Sequence, residues 1–266
     1  MSLSMKRNNG GFFCCNTIRM VKIINFINEY KKIPEEVISS NVYGRYKPSQ
    51  KVDVTFDFFK DYKLISNIDV NLSLEKILGH GKISHKIQFS KYHSLPYHYL
   101  IPIVNKYFSP SERVLSNKQY LLKKYDIEVD KYIAIYYRGT DKYKEMTLAS
   151  YDLYLEKVNN ILSLNPDLKL MILSDSQECL DFFRNKFKDI TIIKENRTSY
   201  TKEGIHNESN PSTNYTDMFN LLATFLIISK CKYIVCGSGN GALWINLYRG
   251  HGRNVYQCNR RGIFFK

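Results

Sequence analysis

The fold is decided by residues 132–142, where Tyr-Ile-Ala-Ile-Tyr-Tyr is followed by Arg-Gly-Thr-Asp-Lys. Six apolar and aromatic residues in succession are typical of a strand that is buried on both faces, as strands of a parallel sheet are. The polar segment that follows marks the end of the strand. We therefore expect a parallel sheet in which this strand is buried.

Short apolar strands alternate with amphipathic helices from this point to the C-terminus. The predicted strands are 132–137, 168–173, 190–193, 233–236 and 254–257, and the predicted helices are 148–164, 176–187, 214–229 and 242–248. This alternation is typical of βαβ units and a parallel sheet. We expect an α/β fold in which residues 126–266 form a Rossmann-like domain with helices on both faces of its sheet.

The first half of the chain is less regular. A helix is predicted over 18–30 and a strand over 51–56. Another helix is predicted to start at Ser109-Pro-Ser-Glu112, with Ser109 as its N-cap and Pro110 in first position. The change of rhythm near residue 126 predicts two domains, 1–125 and 126–266.

Composition fixes the class of protein but not its partner. The 266 residues are 44% hydrophobic and 24% charged, which excludes a disordered chain, a collagen-like chain and a disulfide miniprotein. The net charge is +14, of which residues 1–125 carry +11, with 20 basic and 9 acidic residues. Such an excess fits nucleic acid, a membrane surface or anionic metabolites, and part of it fits the codon usage of an AT-rich genome.

Neither a membrane span nor a secretory signal is visible in the sequence. No apolar run approaches the roughly 18 residues that a spanning helix needs, and the N-terminus has no apolar stretch. The six cysteines contain no Cys-x-x-Cys pair, which favours reduced thiols over disulfides or a zinc site. We expect a soluble cytoplasmic protein without a bound metal.

The polar segment after the first strand is the strongest candidate for chemistry. Ligands of parallel sheets bind at the carboxyl ends of the strands, where Arg138, Asp141 and Lys142 are predicted to lie. The guanidinium fork of arginine holds two oxygens at once, which suits a diphosphate. The alternative is a surface loop with an ordinary ion pair.

A glycine-rich segment, Gly237-Ser-Gly-Asn-Gly241, follows a later strand and opens a helix. Its glycines let the backbone approach a ligand, and the amides at the helix start attract phosphate, which makes Ser238, Gly239 and Asn240 candidates. The alternative is a tight turn with Asn240 as the N-cap.

Further candidates each have a structural alternative. Asp175 follows a predicted strand and Asp217 lies near a predicted helix start, but both also fit helix-capping spacings. His206 lies in a polar loop, where a solvated histidine is the ordinary case. Gly10 and Gly11 precede a helix in the manner of a glycine loop that faces a ligand. No Asp-x-Asp motif occurs, so the usual diphosphate-metal motif of many sugar transferases is missing.

The order of these motifs resembles that of GDP-fucose-using fucosyltransferases of the core α-1,6 and nodulation type. The matching segments are 135–142, Leu-Ser-Asp at 173–175, Gly-Ile-His-Asn at 204–207, Asp217, and Ile-Val-Cys-Gly-Ser-Gly-Asn at 234–240. The resemblance covers nearly all of 130–250, whereas the first half matches only through Gly-Gly-Phe-Phe and a helix with Arg19.

The resemblance implies a GT-B-like pair of Rossmann-like domains and inverting, metal-independent transfer of fucose from GDP-fucose to a glycan acceptor. It implies that Arg138, with Asp141 and Lys142, binds the diphosphate of the donor. It further implies nucleotide contacts from Asp175 and Asp217 and phosphate contacts from residues 238–240. Glu145 is the nearest candidate for the base that takes the proton of the acceptor.

The chain departs from the family pattern at two positions. Tyr136 stands where the family motif has histidine, and Gly139 stands where it has a second arginine, which removes one phosphate ligand. The departures leave room for another nucleotide diphosphate sugar as donor and for a degenerate transferase that binds nucleotide without turnover. A basic nucleic-acid-binding protein is the alternative from another class, although no nucleic-acid module is present. The basic half also fits an anionic acceptor or a peripheral membrane contact.

Overall fold

The computed structural model describes residues 1–49, 52–66, 84–259 and 262–263. In the first half, strands β1 (Ser2–Ser4) and β2 (Glu36–Ile38) form a two-stranded parallel sheet, and helix α1 (Phe12–Tyr30) connects them. Among the described residues of the first half, three further α-helices follow, α2 (Thr55–Phe58), α3 (Tyr97–Tyr107) and α4 (Glu112–Lys124).

The strand predicted over 51–56 is wrong. Residue 51 lies outside the described residues, residues 52–54 are in no strand, and α2 begins at Thr55. The carboxylate of Asp53 accepts a hydrogen bond of 2.9 Å from the amide of Thr55. A side chain that takes up a nearby amide in this way favours a turn over a strand ladder.

The helix predicted near Ser109 is present, but its cap is Ser111 and it begins at Glu112. The hydroxyl of Ser111 accepts from the amide of Val114. Ser109 is not the cap because residues 109–111 run beside 58–60, where the Lys60 amide donates to the Ser109 carbonyl and the Ser111 amide donates to the Phe58 carbonyl. This pairing ends one residue before the helix.

The second half contains a six-stranded sheet. Its strands are β3 (Tyr132–Tyr137), β4 (Lys169–Ser174), β5 (Ile190–Thr191), β6 (Tyr233–Cys236), β7 (Val255–Asn259) and β8 (Gly262–Ile263). Their order is β5-β4-β3-β6-β7-β8, and every pair is parallel except β7 with β8. The burial predicted for β3 is confirmed, since all six of its residues are buried.

Two pairs of helices cover the two faces of this sheet. Helices α5 (Tyr151–Leu164) and α6 (Gln177–Lys186) pack on one face, against residues such as Ile133 and Ile135. Helices α7 (Pro211–Ile228) and α8 (Asn240–Arg249) pack on the other, against Ala134 and Tyr136. Successive side chains of a strand point to opposite faces, so β3 contributes to both cores. The predicted α/β class is confirmed.

The first half of the chain packs on the α7–α8 face and shares its core. The rings of Phe13 and Phe225 stack with their centroids 4.2 Å apart, and those of Phe58 and Phe219 lie 4.7 Å apart. The indole of Trp244 donates a hydrogen bond to the hydroxyl of Thr17. The N-terminus of α1 is thereby fixed beside the carboxyl ends of β3 and β4.

All six cysteines are free, and five of them are buried, with Cys14 half-buried. Among the described residues, no helix is long and apolar enough to cross a membrane.

Candidate functional site

A cleft lies at the carboxyl ends of β3 and β4, between the N-terminus of α1 and the first turns of α7. About 840 Å³ of space lies between its walls, and this space opens to solvent. Phe13, Leu173 and Phe225 are among the residues that form its apolar wall. The polar side chains that line it are those of Tyr46, Tyr136, Tyr137, Arg138, Ser174, Asp175, Asn196, Arg197, His206, Asn214 and Asp217.

Arg138 is one of two arginines that line the cleft, and two carboxylates orient it. Its Nη2 donates to Oδ1 of Asp141 at 2.8 Å, and its Nε lies 3.8 Å from Oδ2 of Asp175. Burial disfavours the charged guanidinium, but the two carboxylates outweigh burial and raise the pKa of Arg138. Among the described residues, its Nη1 makes no hydrogen bond. The guanidinium is thus permanently charged and keeps a donor for a ligand.

Asp175 holds the segment after β3 in place. Its Oδ1 accepts from the amide of Gly139 and its Oδ2 from the hydroxyl of Thr140, both at 2.7 Å. The capping alternative for Asp175 is not realised, because Ser176 is the N-cap of α6 and accepts from the amide of Cys179. Both carboxylate oxygens are therefore used to fix the backbone that carries Arg138.

The structure explains why residue 139 is glycine. A Cβ at Gly139 would lie 2.5 Å from Cε1 of Tyr137 and 3.3 Å from Cβ of Ser176. The ring of Tyr137 is itself held edge-on by Tyr151 and Tyr154. An arginine at this position would therefore have to displace a buried tyrosine.

His206 lies inside the cleft, against the expectation of a solvated loop residue. Gly204 lies between the His206 imidazole and the Asp141 carboxylate: a Cβ there would be 2.9 Å from Cε1 of His206 and 2.6 Å from Oδ2 of Asp141. The loop thus brings the imidazole close to the carboxylate that orients Arg138. Burial, with the charges of Arg138 and Arg45, lowers the pKa of His206 to about 4, and Asp141 opposes this only weakly. The imidazole is neutral at physiological pH and can accept as well as donate a hydrogen bond.

We expect the stability of the protein to fall as the pH is lowered from about 6.5 to about 4. In this window the unfolded chain protonates His206 whereas the folded chain does not, so unfolding takes up a proton. The expected contribution is on the order of 2 kcal/mol of unfolding free energy. Denaturant titrations at several pH values should show this slope in the parent protein, and His206→Gln should flatten it.

The exposed His98 offers the matched control for this prediction. His98→Gln should leave the pH slope unchanged. Observation of the His206 imidazole by NMR gives the direct measurement, and a midpoint of titration near pH 6.5 would contradict the assignment.

The cleft also carries an ion pair and an unsatisfied oxygen. Nη1 of Arg197 donates to Oδ2 of Asp217 at 3.1 Å. The hydroxyl of Thr224 donates to the Asn220 carbonyl, so the amide nitrogen of Asn196 must donate to Thr224. This leaves Oδ1 of Asn196 buried and without a partner among the described residues. It is an acceptor available to a ligand N–H group.

Asp217 does not cap its helix, so its capping alternative is not realised. The N-cap of α7 is Asn210, whose Oδ1 accepts from the amide of Thr213, and Pro211 occupies the first position. Asp217 lies in the second turn and faces the cleft. Asn214, one turn earlier, donates to the carbonyls of Arg45 and His206 and so links the loop to the first half of the chain.

Lys142 lies beside the cleft in a second polar cluster. Its side chain is 2% exposed, and its ammonium donates to Oε2 of Glu145 at 2.6 Å and to Oε1 of Gln88 at 3.2 Å. Burial lowers the pKa of Lys142, whereas Glu145 opposes the shift. The side chain of Glu145 is 47% exposed, so one face of this ion pair is accessible from solvent.

The glycine segment packs directly on Lys142. Gly239 has φ +138° and ψ 174°, a region that is essentially restricted to glycine. A Cβ there would lie 2.9 Å from Cε of Lys142. The amide of Gly239 donates to the carbonyl of Gln88 and to the hydroxyl of Tyr92, so this amide is used within the protein. The N-cap alternative for Asn240 is not realised, because Gly239 occupies the N-cap position.

Ser238 lies outside the main cleft, in a small neighbouring depression that Arg138 also lines. Its hydroxyl accepts from Nε2 of Gln257 at 2.7 Å. Asn240 contacts His85 instead, at 3.2 Å. Ser238 therefore lies in the neighbouring depression and Asn240 in the cluster around Lys142, and neither lines the main cleft.

A hydrogen-bond chain connects Lys142 to the glycine segment. Because the ammonium can only donate, Gln88 presents its oxygen to Lys142 and its NH₂ group to Nδ1 of His85 at 3.1 Å. Nε2 of His85 then carries the proton, and it faces Sγ of Cys14 at 3.3 Å and the Asn240 amide. When the amide of Asn240 is oriented with its oxygen toward His85, that oxygen accepts the proton of Nε2 and has the hydrogen-bond partner that it otherwise lacks.

The predicted residues thus fall into two adjoining groups. Gly11, Arg138, Asp175, His206 and Asp217 line the cleft, and Asp141 orients Arg138. Lys142, Glu145, Gly239 and Asn240 form the second cluster, and Gly10 packs against Cys14 at its border.

Several site residues were missed by the sequence analysis, namely Cys14, Arg45, His85, Gln88, Asn196, Arg197 and Asn214. A signal existed for two of them. Asn196 and Arg197 follow the strand predicted over 190–193, so the rule that ligands bind at carboxyl ends of strands would have found them. His85 and Gln88 arrive from a 3₁₀ turn, and no pattern in the sequence marks it as part of a site.

The arrangement suits a ligand with an apolar part and an anionic part. The cleft combines an apolar wall, the acceptors Asn196 and Asp217, and the charged Arg138. Among the described residues, no group of three or more His, Cys, Asp or Glu side chains is placed to hold a metal ion.

Comparisons with known proteins reveal the fold. Over 99% of this chain and 97% of that chain, the structure is similar to the NodZ α-1,6-fucosyltransferase soaked with GDP-fucose, with a TM-score of 0.58 and 10% identity. The selenomethionine form of fucosyltransferase NodZ from Bradyrhizobium gives 0.58 and 8%, over 99% and 96% of the two chains. NodZ co-crystallised with GDP gives 0.54 and 10%, over 97% and 94%. No protein-family model and no curated protein matches the chain. The resemblance to these fucosyltransferases is confirmed for the fold, over nearly the whole chain.

Proposed function

We propose that this protein is an inverting glycosyltransferase that works without a metal ion and transfers fucose from GDP-fucose to a glycan acceptor. One observation carries the proposal: a charged Arg138, oriented by two carboxylates, lies in the cleft of a fold that matches fucosyltransferases along nearly its whole length. In this proposal residues 126–266 hold the donor and residues 1–125 contribute to the acceptor side.

The leaving group of such a transfer is a nucleoside diphosphate. As the bond between the sugar carbon and the phosphate oxygen breaks, the electron pair stays on that oxygen and negative charge accumulates there. Arg138 would take up this charge directly through Nη1 and its fork, and the buried ammonium of Lys142 would support it from the adjoining cluster. Asp141 and Asp175 prevent the guanidinium from turning away between turnovers.

The nucleotide would extend from Arg138 toward α7. The apolar wall near Leu173 and Phe225 can cover a base, and Asp217 and the unpartnered Oδ1 of Asn196 can accept from its N–H groups. Asp217 must exchange part of its contact with Arg197 for this purpose.

The acceptor hydroxyl attacks the sugar carbon from the side opposite the diphosphate and loses its proton to a base. Glu145 is the candidate, because its half-exposed carboxylate lies beside Lys142 at the border of the cleft. Its ion pair with Lys142 fixes the orientation of the carboxylate and leaves the second oxygen for the acceptor.

Thermal unfolding with added nucleotides is the direct test. We expect GDP and GDP-fucose, at about 100 times their Kd, to raise Tm by about 5–10 °C, because a ligand that binds only the folded state stabilises it by about 2.7 kcal/mol at that concentration. UDP and ADP should give smaller shifts. Stabilisation should persist in EDTA.

The outcomes of this test separate the alternatives. A larger rise in Tm with another nucleotide would support a transferase that uses a different donor. Gly139 gives a reason for this comparison, because the family motif has an arginine at that position. Binding without release of fucose in the presence of glycan acceptors would favour the degenerate transferase. No shift with any nucleotide diphosphate at millimolar concentration would refute the proposal, and a strict requirement for Mn²⁺ would refute its metal-free form.

A further inference from the structure

A group of cations lies at the opposite edge of the six-stranded sheet from the cleft. Lys232 immediately precedes β6 and Asn254 immediately precedes β7, so the group sits at the amino ends of these strands. The depression there is lined by Lys230, Lys232, Arg249, His251 and Arg253, with Asp130 as its only carboxylate among the described residues.

These cations have no acidic partners. Among the described residues, no carboxylate lies within 4.0 Å of the charged nitrogens of Lys230, Lys232, Arg249 or Arg253. Burial lowers the pKa of Lys230, and the neighbouring charges of Lys118 and Arg249 lower it further. Like charges held together without counter-charges repel one another, and an anion between them would relieve the repulsion.

Arg249 holds the depression in shape and has no N–H group left to bind a ligand. Its guanidinium makes five hydrogen bonds to the carbonyls of Ser229, Cys231, Lys232 and Arg253. These bonds use all five N–H groups that arginine possesses. The charge of Arg249 is thereby fixed in the wall of the depression, and its bonds hold the two loops that carry Lys232 and Arg253.

The side chains left to meet a ligand are lysines, an arginine and a histidine. Lys232 and Arg253 are exposed, and Nδ1 of His251 is buried without a partner among the described residues. Burial lowers the pKa of His251, and Arg249, Arg253 and Lys230 lower it further. Ammonium and guanidinium groups around a polar nitrogen are suited to a compact oxyanion with more than one charge.

We propose that this depression is a binding site for a phosphate group, separate from the donor cleft. The group is either free phosphate or the phosphate of a lipid headgroup, which share this chemistry. The site is independent of the proposed transferase activity, because it lies at the other edge of the sheet and uses none of the cleft residues.

The test is a titration of the full chain with sodium phosphate at constant ionic strength, followed by NMR on the imidazole of His251. The His251→Gln variant assigns the signal. We expect a saturable movement and a rise in the pKa of His251, because a bound anion offsets the surrounding cations. The readout is local, so phosphate in the donor cleft does not affect it, and failure here leaves the proposed function untouched.

Paired variants test the site itself. Lys230→Gln with Lys232→Gln should weaken phosphate binding by about tenfold. Lys186→Gln with Lys188→Gln removes the same charge from an exposed surface elsewhere and should change nothing. Equal phosphate binding by both double variants would overturn the proposal, since the charge at this depression would then make no difference.

Vesicles distinguish the two sources. Co-sedimentation with vesicles that contain phosphatidic acid, but not with pure phosphatidylcholine, assigns the lipid headgroup if Lys230→Gln with Lys232→Gln abolishes it. Binding of free phosphate alone assigns a soluble ligand. Binding of neither overturns the proposal.

Discussion

Arg138→Ala is expected to lower kcat/KM for fucosyl transfer by about 10³-fold and to abolish the stabilisation by GDP. Removal of one donor that faces developing charge costs about 10²–10³-fold in the rate, and Arg138 also contributes to binding of the ground state. The fold should survive, because Asp175 keeps its bonds to Gly139 and Thr140 without the guanidinium. Single-turnover kinetics and thermal shifts with GDP provide the measurement.

Two further variants separate charge from geometry. Arg138→Lys retains the charge but not the fork, so it should fall between Ala and the parent. Arg184→Ala removes an exposed guanidinium that also pairs with an aspartate three residues away, and it should leave kinetics and binding unchanged. An unchanged Kd for GDP in Arg138→Ala would show that Arg138 does not bind the donor.

Gly239→Ala is expected to reduce the unfolding free energy by about 3 kcal/mol and to lower kcat/KM more than tenfold. The backbone at φ +138° costs a residue with a Cβ about 1–3 kcal/mol. The new methyl group also meets Cε of Lys142 at 2.9 Å and pushes the ammonium away from Gln88 and Glu145. Chemical denaturation gives the stability and steady-state assays give the activity.

A double-mutant cycle with Lys142→Ala divides this effect into two parts. In the Lys142→Ala background the backbone strain remains and the side-chain contact disappears, so Gly239→Ala should cost less there. Gly11→Ala is the control, since its φ of −60° suits alanine and the nearest atoms lie 3.9 Å away. Its stability should change by less than about 0.5 kcal/mol. Equal stability of Gly239→Ala and Gly11→Ala would show that no strain exists at position 239.

Two strands of the sheet were predictable to the residue, whereas the ends of other elements were not. β3 and β6 have the predicted bounds because each is an apolar run that ends at a polar or glycine-rich segment. Helix α1 begins at Phe12, six residues before its predicted start, since Phe12 and Phe13 bury their rings in the core shared with α7. That contact is formed by tertiary packing, which local periodicity does not reveal.

The candidate site was partly predictable for a physical reason. Arg138 and Asp175 were found because both follow strands of one parallel sheet, whose carboxyl ends share an edge. The capping alternatives for Asp175 and Asp217 could not be decided, because Ser176 and Asn210 are equally good caps nearby. Gln88 and His85 reach Lys142 from the other half of the chain, and only the folded structure brings them there.

Two adjacent tyrosines of β3 each cover a glycine on opposite faces of the sheet. The Tyr136 hydroxyl would lie 2.0 Å from a Cβ at Gly241, and the Tyr137 ring 2.5 Å from a Cβ at Gly139. The four positions therefore form two coupled pairs, and a substitution at one member of a pair has to be judged together with its partner. An arginine at 139 requires a smaller residue at 137, so it takes two substitutions and not one.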